Sequence, residues 1–531
     1  MWGRLIVKDS CMKKTLFIVC IISAILFFYN AGSRDFWAPD EGDFAQIVKE
    51  LDGNLVVPHL NGKPYGEKPP LFYYLNYLSA KVFSPLKDEA SMRIPTALSA
   101  LLAAILLFCV VCRTFGKKEA LFATLILISS PLYYWQARYL QVDMVFAVFV
   151  ASSLLCFFRS YHQGGKAPYI FFYVLAALAF MTKGPLAVVL IFPVVLIYGW
   201  SQRDLRIFRS RETAIGLCIF LLIIVPWYLL VYIKEGFPYL QENIVRQNIT
   251  RFFDAWSHKR PIYYYFTTLP LDFFPWSLFL PLGIYLAARG WKSDHGMRFF
   301  LIWFLWMFLF FSLSSGKISK YMIPLLPAMA LMTAKTFTTE NNKYVFYASA
   351  LLATLFLALG IILIAVRTEM YREFHPERVL VGILSILVSI AIAWSALLKK
   401  KEAIACLLFI FLSTTYMAGN IWIYSKLNYY KSPRPFCEKV RHYLQKDMQW
   451  VYYGSMRGVY VYYIGRQAVH VNEHKVEELR QLRQQLDGFY LVTRKRDMGE
   501  AQKALANVNI VLEEKIGGTD MVLARYQGQR D

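Results

Sequence analysis

The sequence predicts a polytopic α-helical membrane protein that carries a small α/β domain after its last span. Two observations support this prediction. Apolar stretches of roughly 20 residues, long enough to cross a bilayer as helices, recur as far as about residue 424. Charged residues make up 18% of the 531 residues, against about 25% in a typical soluble protein, and 57% are hydrophobic.

The apolar stretches predict about thirteen membrane spans. Lys13 and Lys14 precede the first span and no small-residue cleavage site follows it, so we expect a retained span and not a removed signal peptide. The predicted spans cover residues 13–30, 93–113, 119–135, 144–161, 168–182, 185–200, 213–233, 270–289, 298–314, 321–337, 344–366, 379–398 and 402–424.

The loop charges predict how these spans are oriented. The formal net charge is +22, which in a soluble protein would suggest nucleic-acid binding, but here the positive residues concentrate in every second loop. Because Lys and Arg collect in cytoplasmic loops, a cytoplasmic N-terminus is predicted. The segments rich in Lys and Arg lie near residues 4–14, 113–118, 203–211, 289–298 and 399–401. The loops 31–92, 234–269 and 314–320 and the C-terminal tail then face away from the cytoplasm.

The tail differs in kind from the rest of the chain. Its segments "QWVYYG", "QAVHV", "FYLVTR" and "NIVLEEK" are typical of strands, and "KVEELRQLRQQL" and "MGEAQKALANV" have the pattern of amphipathic helices. We therefore expect a transmembrane domain over residues 1–424 and a small soluble α/β domain over residues 425–531.

An acidic cluster follows the first span. The stretch "FWAPDEGDFAQ" places Asp40, Glu41 and Asp43 where the chain leaves the bilayer. The stretch "DEGDFAQIVKELDGN" predicts a short amphipathic helix along the interface, and Pro69 and Pro70 precede a second one. Two interpretations are open: the carboxylates cap an interfacial helix, or one of them points into a cleft at the membrane surface.

A further carboxylate and a set of cations are expected on the same face. Asp143 lies in the turn "QARYLQVDMVF", which returns to the non-cytoplasmic side. Loops on that side are normally poor in Lys and Arg, so their cations need a reason. These cations are Lys68, Arg138, Lys183, Arg246, Arg251, Lys317 and Lys320. Such a set suits a lipid-linked phosphate or pyrophosphate; the alternative is a site for phospholipid headgroups without catalysis.

His258, in "WSHKRPIYYYF", is predicted on the same face. A lone histidine is more often structural than a metal ligand. Together with Glu67 it would make half of a divalent-metal site. The spacing in sequence does not show that the two side chains meet.

These stretches carry a family resemblance. "FWAPDEGDFAQIVKEL", "VVPHLNGKPYGEKPPLFYYL", "MTKGPLAV", "HKRPIYYYF" and "SSGKISKYMIPLLPAMA" resemble, in the same order over roughly residues 30–335, the lipid A aminoarabinose transferases. These are bacterial inner-membrane enzymes of the GT-C glycosyltransferase superfamily, distantly related to protein O-mannosyltransferases. The resemblance implies a GT-C fold, a donor in which undecaprenyl phosphate bears one sugar, and transfer on the periplasmic side.

The resemblance also implies roles for individual residues. The matched positions are Asp40 and Asp143 for the acidic residues of the active site, Lys68 and Tyr321 near the donor phosphate, and Glu67 and His258 for a divalent metal, expected to be zinc. The pattern of charges adds Glu41 to the catalytic candidates and Arg138, Arg246, Arg251 and Lys317 to the donor-phosphate candidates. Asp43 departs from the family motif, which commonly has arginine there, and this leaves the sugar and the acceptor open.

The chemistry expected of such a site is a single displacement that inverts the anomeric centre. A polyprenyl phosphate is a fair leaving group only when its developing negative charge is stabilised, a task for Lys68 and neighbouring cations. Asp40 would act as a general base toward a hydroxyl acceptor, or would orient an acceptor phosphate of lipid A. The alternatives are a glycan or protein acceptor and, in another class, a transporter or lipid flippase, which would place its charges near the membrane midplane.

Overall fold

A computed structural model describes residues 10–339, 343–366, 372–444 and 448–528 of the chain. Arg4 and Lys8, which belong to the first segment rich in Lys and Arg, lie outside the described residues. The N-terminal part contains α1 (Ser10–Phe28), α2 (Asp40–Glu50), β1 (His59–Leu60), β2 (Lys63–Pro64), α3 (Leu71–Val82) and α4 (Asp88–Ser91).

Long helices dominate the middle of the chain. They are, with the short helices between them, α5 (Ile94–Thr114), α6 (Lys117–Ser129), α7 (Pro131–Ala137), α8 (Val142–Gln163), α9 (Lys166–Lys183), α10 (Leu186–Ser201), α11 (Arg211–Glu235), α12 (Phe237–Leu240), α13 (Arg251–Phe253), α14 (Tyr264–Asp272), α15 (Leu280–Arg289), α16 (His295–Leu313), α17 (Leu326–Thr338), α18 (Lys343–Ala365), α19 (His375–Leu397) and α20 (Lys401–Ala418). Single-turn and irregular helices connect some of them: 3₁₀ segments at Arg206–Arg209, Trp276–Leu278, Ser319–Leu325 and Arg372–Phe374, and π segments at Gln241–Thr250 and Gly419–Ile423.

The C-terminal part alternates helices and strands. Its elements are α21 (Tyr424–Lys431), α22 (Arg434–Tyr443), β3 (Trp450–Tyr453), α23 (Gly458–Ile464), β4 (Val469–Val471), α24 (Val476–Gln485), β5 (Gly488–Arg494), α25 (Lys495–Leu505), β6 (Val508–Ile516) and β7 (Thr519–Gln527). The four predicted strands and two predicted helices are present. Four of the described elements, α21, α22, α23 and β7, were not predicted.

Within the described residues, seven helical segments are long and apolar enough to cross a membrane. They are Asp88–Thr114, Val142–Gln163, Arg211–Glu235, His295–Leu313, Lys343–Ala365, Arg372–Leu397 and Lys401–Lys431, and the shorter α10 is also apolar. The prediction of a polytopic helical protein is confirmed, whereas the count of thirteen spans stays a prediction.

Prolines explain why some predicted spans are interrupted. Helix α6 ends at Ser129 and α7 begins at Pro131, because proline fits the first turn of a helix but breaks its interior. The predicted span 270–289 divides on both sides of Pro275, and α17 begins only at Leu326, after a 3₁₀ turn that contains Pro324. An apolar run therefore predicts the position of a span better than its continuity.

The chain divides into two units. The first contains residues 1–31, 66–72 and 93–423 and is helical. Its helix α8 is central, because 83% of its most apolar 18-residue stretch is buried. In α11 only 22% of the corresponding stretch is buried, and its leucines remain exposed, as expected of a lipid-facing helix. A carboxylate on α8 therefore lies in the interior of this unit.

The second unit contains residues 32–65, 73–92 and 424–531. Its five-stranded sheet has the order β4-β3-β5-β7-β6, in which β3 is parallel to β4 and β5, and β7 is antiparallel to β5 and β6. Val451, Leu491, Val522 and Leu479 contribute to its buried core. Most of the loop 31–92, which the sequence assigned to the transmembrane domain, clusters with this sheet.

Candidate functional site

The first unit holds a buried carboxylate between two lysines. Asp143 is 5% exposed and its Oδ1 accepts a hydrogen bond from Lys183 Nζ. Its Oδ2 lies 3.7 Å from Lys320 Nζ. The side chains of Lys183 and Lys320 are 10% and 18% exposed. Two ammonium groups on one carboxylate leave a net positive charge inside the protein.

Helix ends explain why Asp143 and Lys183 meet. Helices α8 and α9 are joined by the two glycines Gly164 and Gly165, both with positive φ, so the start of α8 and the end of α9 lie at the same end of the pair. Asp143 is in the first turn of α8, where a negative charge is favoured, and Lys183 is in the last turn of α9, where a positive charge is favoured. Gly184, at φ 73°, ends α9 immediately after Lys183.

Tyr321 belongs to the same group of side chains. Its ring lies 4.6 Å from Lys183 Nζ and is stacked with the ring of Phe311. Tyr321 and Lys320 are neighbours in the 3₁₀ segment that precedes α17. We refer to Asp143, Lys183, Lys320 and Tyr321 as the Asp143 cluster.

Lys68 and Arg251 add positive charge beside the Asp143 cluster. Asn243 donates a hydrogen bond to the carbonyl of Gly66 at 2.9 Å and so holds the loop that carries Lys68. The pKa of Lys68 is lowered to about 8, mainly by desolvation and also by the charges of Arg251 and Lys183, whereas Glu67 and Asp143 act in the opposite direction. These electrostatic couplings put Lys68 near Arg251 and Lys183, which are cations of two other chain segments.

Two predicted donor-phosphate residues have other partners. Arg138 is buried, and its guanidinium donates to the carbonyl oxygens of Leu26, Phe27 and Tyr29, each at 2.9 Å. It therefore satisfies the last carbonyls of α1. The expectation that Arg138 binds the donor phosphate is not supported by these contacts.

Lys317 also serves the backbone. Its Nζ donates to the carbonyl oxygens of Arg260, at 3.0 Å, and of Ser314. Its backbone N–H donates to the carbonyl of His258 at 3.0 Å. Lys317 thus joins the loop around residue 258 to the turn 314–318. Because its ammonium group donates to backbone carbonyls, these contacts do not support the prediction that Lys317 binds the donor phosphate.

Arg246 and Arg251 both lie close to the ring of an exposed tryptophan, Trp256. Their guanidinium carbons are 5.3 and 5.4 Å from the ring centroid of Trp256. Arg246 is also paired with Glu242 at 3.0 Å, and 62% of its side chain is exposed. The charge of Arg251 contributes to the lowered pKa of Lys68. Of the two, Arg251 is the better candidate for the donor phosphate.

The acidic stretch after α1 belongs to the second unit. Glu41 is fully buried and its Oε1 lies 3.1 Å from a guanidinium nitrogen of Arg34, while its Oε2 accepts from the backbone N–H of Trp37 at 3.3 Å. Asp43 accepts a hydrogen bond from the backbone N–H of Gly458. Asp40, the first residue of α2, is half-buried. These contacts hold the segment of Arg34 and Trp37 against α2, so they give Glu41 a structural role and do not support the predicted catalytic one.

A metal centre is not assembled by the described residues. They contain no group of three or more His, Cys, Asp or Glu side chains that could hold an ion. Glu67 and His258 are both exposed, and His258 adopts a positive φ of 59°. Glu67 and His258 are two ligands, which do not by themselves complete a zinc site, so the metal implied by the resemblance stays a prediction.

Lys183 and Lys320 were noted in the sequence as unusual cations but were not assigned to the site. The sequence contained a signal for Lys183. The stretch "MTKGP" ends a helix at Lys183, and Gly164 and Gly165, which precede that helix, turn the chain back toward the end that carries Asp143. For Lys320 there was none, because its contact with Asp143 joins residues far apart in sequence.

Comparison with known proteins shows which families and structures this chain resembles. Residues 67–230, which include Lys68, Asp143 and Lys183, match the family described as dolichyl-phosphate-mannose-protein mannosyltransferase. The chain is 30% identical over 348 residues to an undecaprenyl phosphate-alpha-4-amino-4-deoxy-L-arabinose arabinosyl transferase of Edwardsiella ictaluri. That alignment spans 62% of this chain and 62% of the relative.

Solved structures extend the likeness to nearly the whole chain. ArnT from Cupriavidus metallidurans bound to undecaprenyl phosphate superposes with a TM-score of 0.79 at 18% identity, over 96% of this chain and 97% of ArnT. The chain has an ArnT-like GT-C fold. The GT-C resemblance read from the sequence motifs is therefore confirmed. A more distant GT-C structure, the Archaeoglobus fulgidus oligosaccharyltransferase in complex with Zn and sulfate, has a TM-score of 0.51 at 14% identity, over 92% of this chain and 70% of that chain.

Proposed function

We propose that this protein is a membrane glycosyltransferase that moves a sugar from an undecaprenyl phosphate-linked donor to an acceptor on the periplasmic side, such as lipid A. The observation that carries the proposal is the Asp143 cluster with Lys68 and Arg251 beside it. Four cations accompany the buried carboxylate of Asp143 and the exposed one of Glu67. The surplus of positive charge suits a phosphate group.

The cluster accounts for the departure of the leaving group. An oxygen of the acceptor attacks the anomeric carbon, the bond from that carbon to the phosphate oxygen breaks, and the electron pair leaves with the polyprenyl phosphate. Lys183, Lys320 and Lys68 stabilise the negative charge that develops there, while Asp143 orients the two lysines that it contacts. One such donor contributes on the order of 2–4 kcal/mol to the transition state. A single displacement of this kind inverts the anomeric centre.

Asp40 is the proposed acidic residue on the acceptor side. It takes a proton from a hydroxyl acceptor, or orients an acceptor that is already an anionic phosphate. This role rests on the match to the family motif.

The location of the charges favours a transferase over a transporter or flippase. Asp143 and Lys183 lie in the end turns of α8 and α9, whereas transporters bind near the midplane with broken helices. A glycan or protein acceptor is the second candidate within the same superfamily. The proposed location is the bacterial inner membrane, with the N-terminus in the cytoplasm and residues 425–531 in the periplasm, as the loop charges predict.

Replacing the cluster lysines tests the proposal. Purified protein is assayed with an undecaprenyl phosphate-linked aminoarabinose donor and lipid A. We expect Lys320→Ala and Lys183→Ala to lower turnover by roughly a hundredfold, since each removes a group that stabilises the leaving phosphate. Lys400→Ala, at an exposed position outside the cluster, serves as the matched control. Equal rates in Lys320→Ala, Lys183→Ala and Lys400→Ala would contradict the proposal, and lipid analysis of a deletion strain identifies the acceptor.

The divalent ion implied by the resemblance is a separate prediction, and no step above depends on it. Elemental analysis of purified wild-type protein and of His258→Ala measures the bound metal. A stoichiometric ion that His258→Ala loses supports the Glu67 and His258 assignment. Equal metal content in both proteins removes His258 from any metal site.

A further inference from the structure

Helix α2 is attached to the C-terminal sheet domain through Asp43. Its Oδ1 accepts a hydrogen bond from the backbone N–H of Gly458, the first residue of α23. Helix α23 follows β3, the strand from which the parallel part of the sheet extends to β4 on one side and to β5 on the other. The carboxyl end of such a strand is the usual ligand position of an open α/β sheet. In this domain the carboxylate of Asp43 contacts the segment that follows the carboxyl end of β3.

Two glycines allow α2 and α23 to approach closely. A Cβ on Gly42 would lie 2.1 Å from the Cβ of Val459. A Cβ on Gly458 would lie 2.9 Å from the Cα of Asp43 and 2.8 Å from a side-chain carbon of Leu60. Because neither position has room for a side chain, the contact depends on glycine on both helices.

The other end of α2 is fixed as well. Glu50 accepts hydrogen bonds from the backbone N–H groups of Asn61 and Gly62, at 2.8 and 2.9 Å. Asn61 in turn exchanges two hydrogen bonds of 2.9 Å with the backbone of Ala468, next to β4. Hydrogen bonds therefore link α2 to the hairpin of β1 and β2, and link that hairpin to the sheet domain.

The segment before α2 is held by the same domain. The backbone N–H of Phe36 donates to the hydroxyl of Tyr463 at 2.8 Å. Asn428 accepts from the indole N–H of Trp37 and from the backbone N–H of Asp35, at 3.0 and 3.1 Å. Residues of the C-terminal tail thus contact the chain both before Asp40, at residues 35–37, and after it, at Asp43.

We propose that Asp43 is a positioning residue, through which the C-terminal α/β domain fixes the place of Asp40 on α2. The inference rests on the proposed catalytic role of Asp40. It gives the soluble domain a task in the reaction, because a displacement of about 1 Å of a reacting group lowers a rate by roughly a hundredfold. It also explains the departure from the family motif: arginine cannot accept the hydrogen bond of Gly458, whereas aspartate can.

The test compares Asp43→Ala with Asp43→Asn in the full-length protein. We expect Asp43→Ala to lower kcat by roughly tenfold or more, with the KM for the undecaprenyl phosphate-linked sugar changed by less than about twofold, because the variant displaces Asp40 and leaves the donor site unchanged. Asn keeps an oxygen that accepts from Gly458, so Asp43→Asn should retain kcat within about threefold. Asp52→Ala is the control, since Asp52 is an exposed carboxylate of the same loop, 3.0 Å from Lys81.

Hydrogen exchange gives a readout that does not depend on activity. In Asp43→Ala, the amide of Gly458 and the amides of α2 should exchange faster than in Asp43→Asn. Wild-type kcat in Asp43→Ala would overturn the inference, and so would an equal loss in the two variants, which would mean that the charge matters and not the hydrogen bond. If Asp43→Ala does not fold, Asn61→Ala, which removes both hydrogen bonds to Ala468, replaces it with the same expected direction.

The two proposals fail in distinguishable ways. Full activity of Asp40→Asn removes the catalytic residue and with it the positioning role, although faster exchange in Asp43→Ala would still report the contact. Low activity of Asp40→Asn together with normal kcat in Asp43→Ala overturns only the positioning role.

Discussion

Two helices of this chain begin with acidic residues, and the carboxylates at their ends have opposite surroundings. In the first turn of α8, Asp143 contacts two lysines, and Lys68 and Arg251 lie beside them. In the first turn of α2, Glu41 pairs with the buried Arg34, and Asp43 accepts a hydrogen bond from a backbone N–H group. The first arrangement has surplus positive charge, whereas in the second the pair of Glu41 and Arg34 has no net charge.

The difference shows how a binding site is separated from a structural contact. Both stretches look alike in sequence, since each is an acidic helix start expected at the same membrane face. The ion pair of Glu41 and Arg34 is already neutral and has no free charge for a ligand. The cations around Asp143 outnumber the carboxylates, so they can still bind an anion, and this favours a phosphate at the start of α8.

The largest effect is expected from breaking the pair of Glu41 and Arg34. Glu41→Ala leaves the guanidinium of Arg34 buried without its carboxylate, which costs about 3–5 kcal/mol when one partner of a buried pair is removed. Hydrogen exchange of the α2 amides should report this loss as easier opening of the helix. Asp52→Ala, at an exposed ion pair, should show no comparable change. Unchanged protection in Glu41→Ala would mean that the pair does not stabilise α2.

The catalytic role of Asp40 predicts the next largest effect. Asp40→Asn keeps the size of the side chain and an oxygen that accepts hydrogen bonds, but removes its charge. If Asp40 is only a structural residue of the first turn of α2, turnover should hardly change. If it takes a proton or orients the acceptor, turnover should fall by roughly a hundredfold or more. The measurement is transfer from a defined lipid-linked sugar by folded protein, and near-normal transfer would leave Asp40 with a structural role only.

The lowered pKa of Lys68 predicts a pH dependence at the cluster. Lys68 is charged below about pH 8 and neutral above it, and only the charged form stabilises a leaving phosphate. We therefore expect kcat/KM to fall as the pH rises through about 8. Lys68→Arg should remove this fall, because arginine stays protonated throughout the range. A fall at the same pH in Lys68→Arg would assign it to another group.

The sequence was sufficient for the helical architecture and for part of the site. Apolar runs located the long helices, and the glycines after α8 and α9 explain why Asp143 and Lys183 share one end. The partners of Asp43 and Asn61 were out of reach, since Gly458 and Ala468 are about four hundred residues away in sequence. Loop charge alone also could not separate a lysine that contacts Asp143 from Lys317, which contacts carbonyls.

Proline and pairing explain the remaining differences in the fold. Pro131 and Pro275 interrupt apolar runs that look continuous by hydropathy. Strand β7 was not predicted, although it pairs with both β5 and β6, and its burial comes from those neighbours. Such elements are specified by tertiary contacts more than by local pattern.

The smallest effect distinguishes the two arginines near the ring of Trp256. Arg251 is coupled to Lys68, whereas Arg246 is exposed and paired with Glu242. We expect Arg251→Ala to raise the KM for the donor by roughly three- to tenfold and Arg246→Ala by less than twofold, because exposed charges are screened over about 10 Å at 0.1 M salt. Raising the salt concentration should reduce the effect of Arg251→Ala only in part, as its neighbours are desolvated. Equal effects of the two substitutions would extend the positive site to Arg246, and the surplus of charge would then not be confined to the surroundings of Asp143.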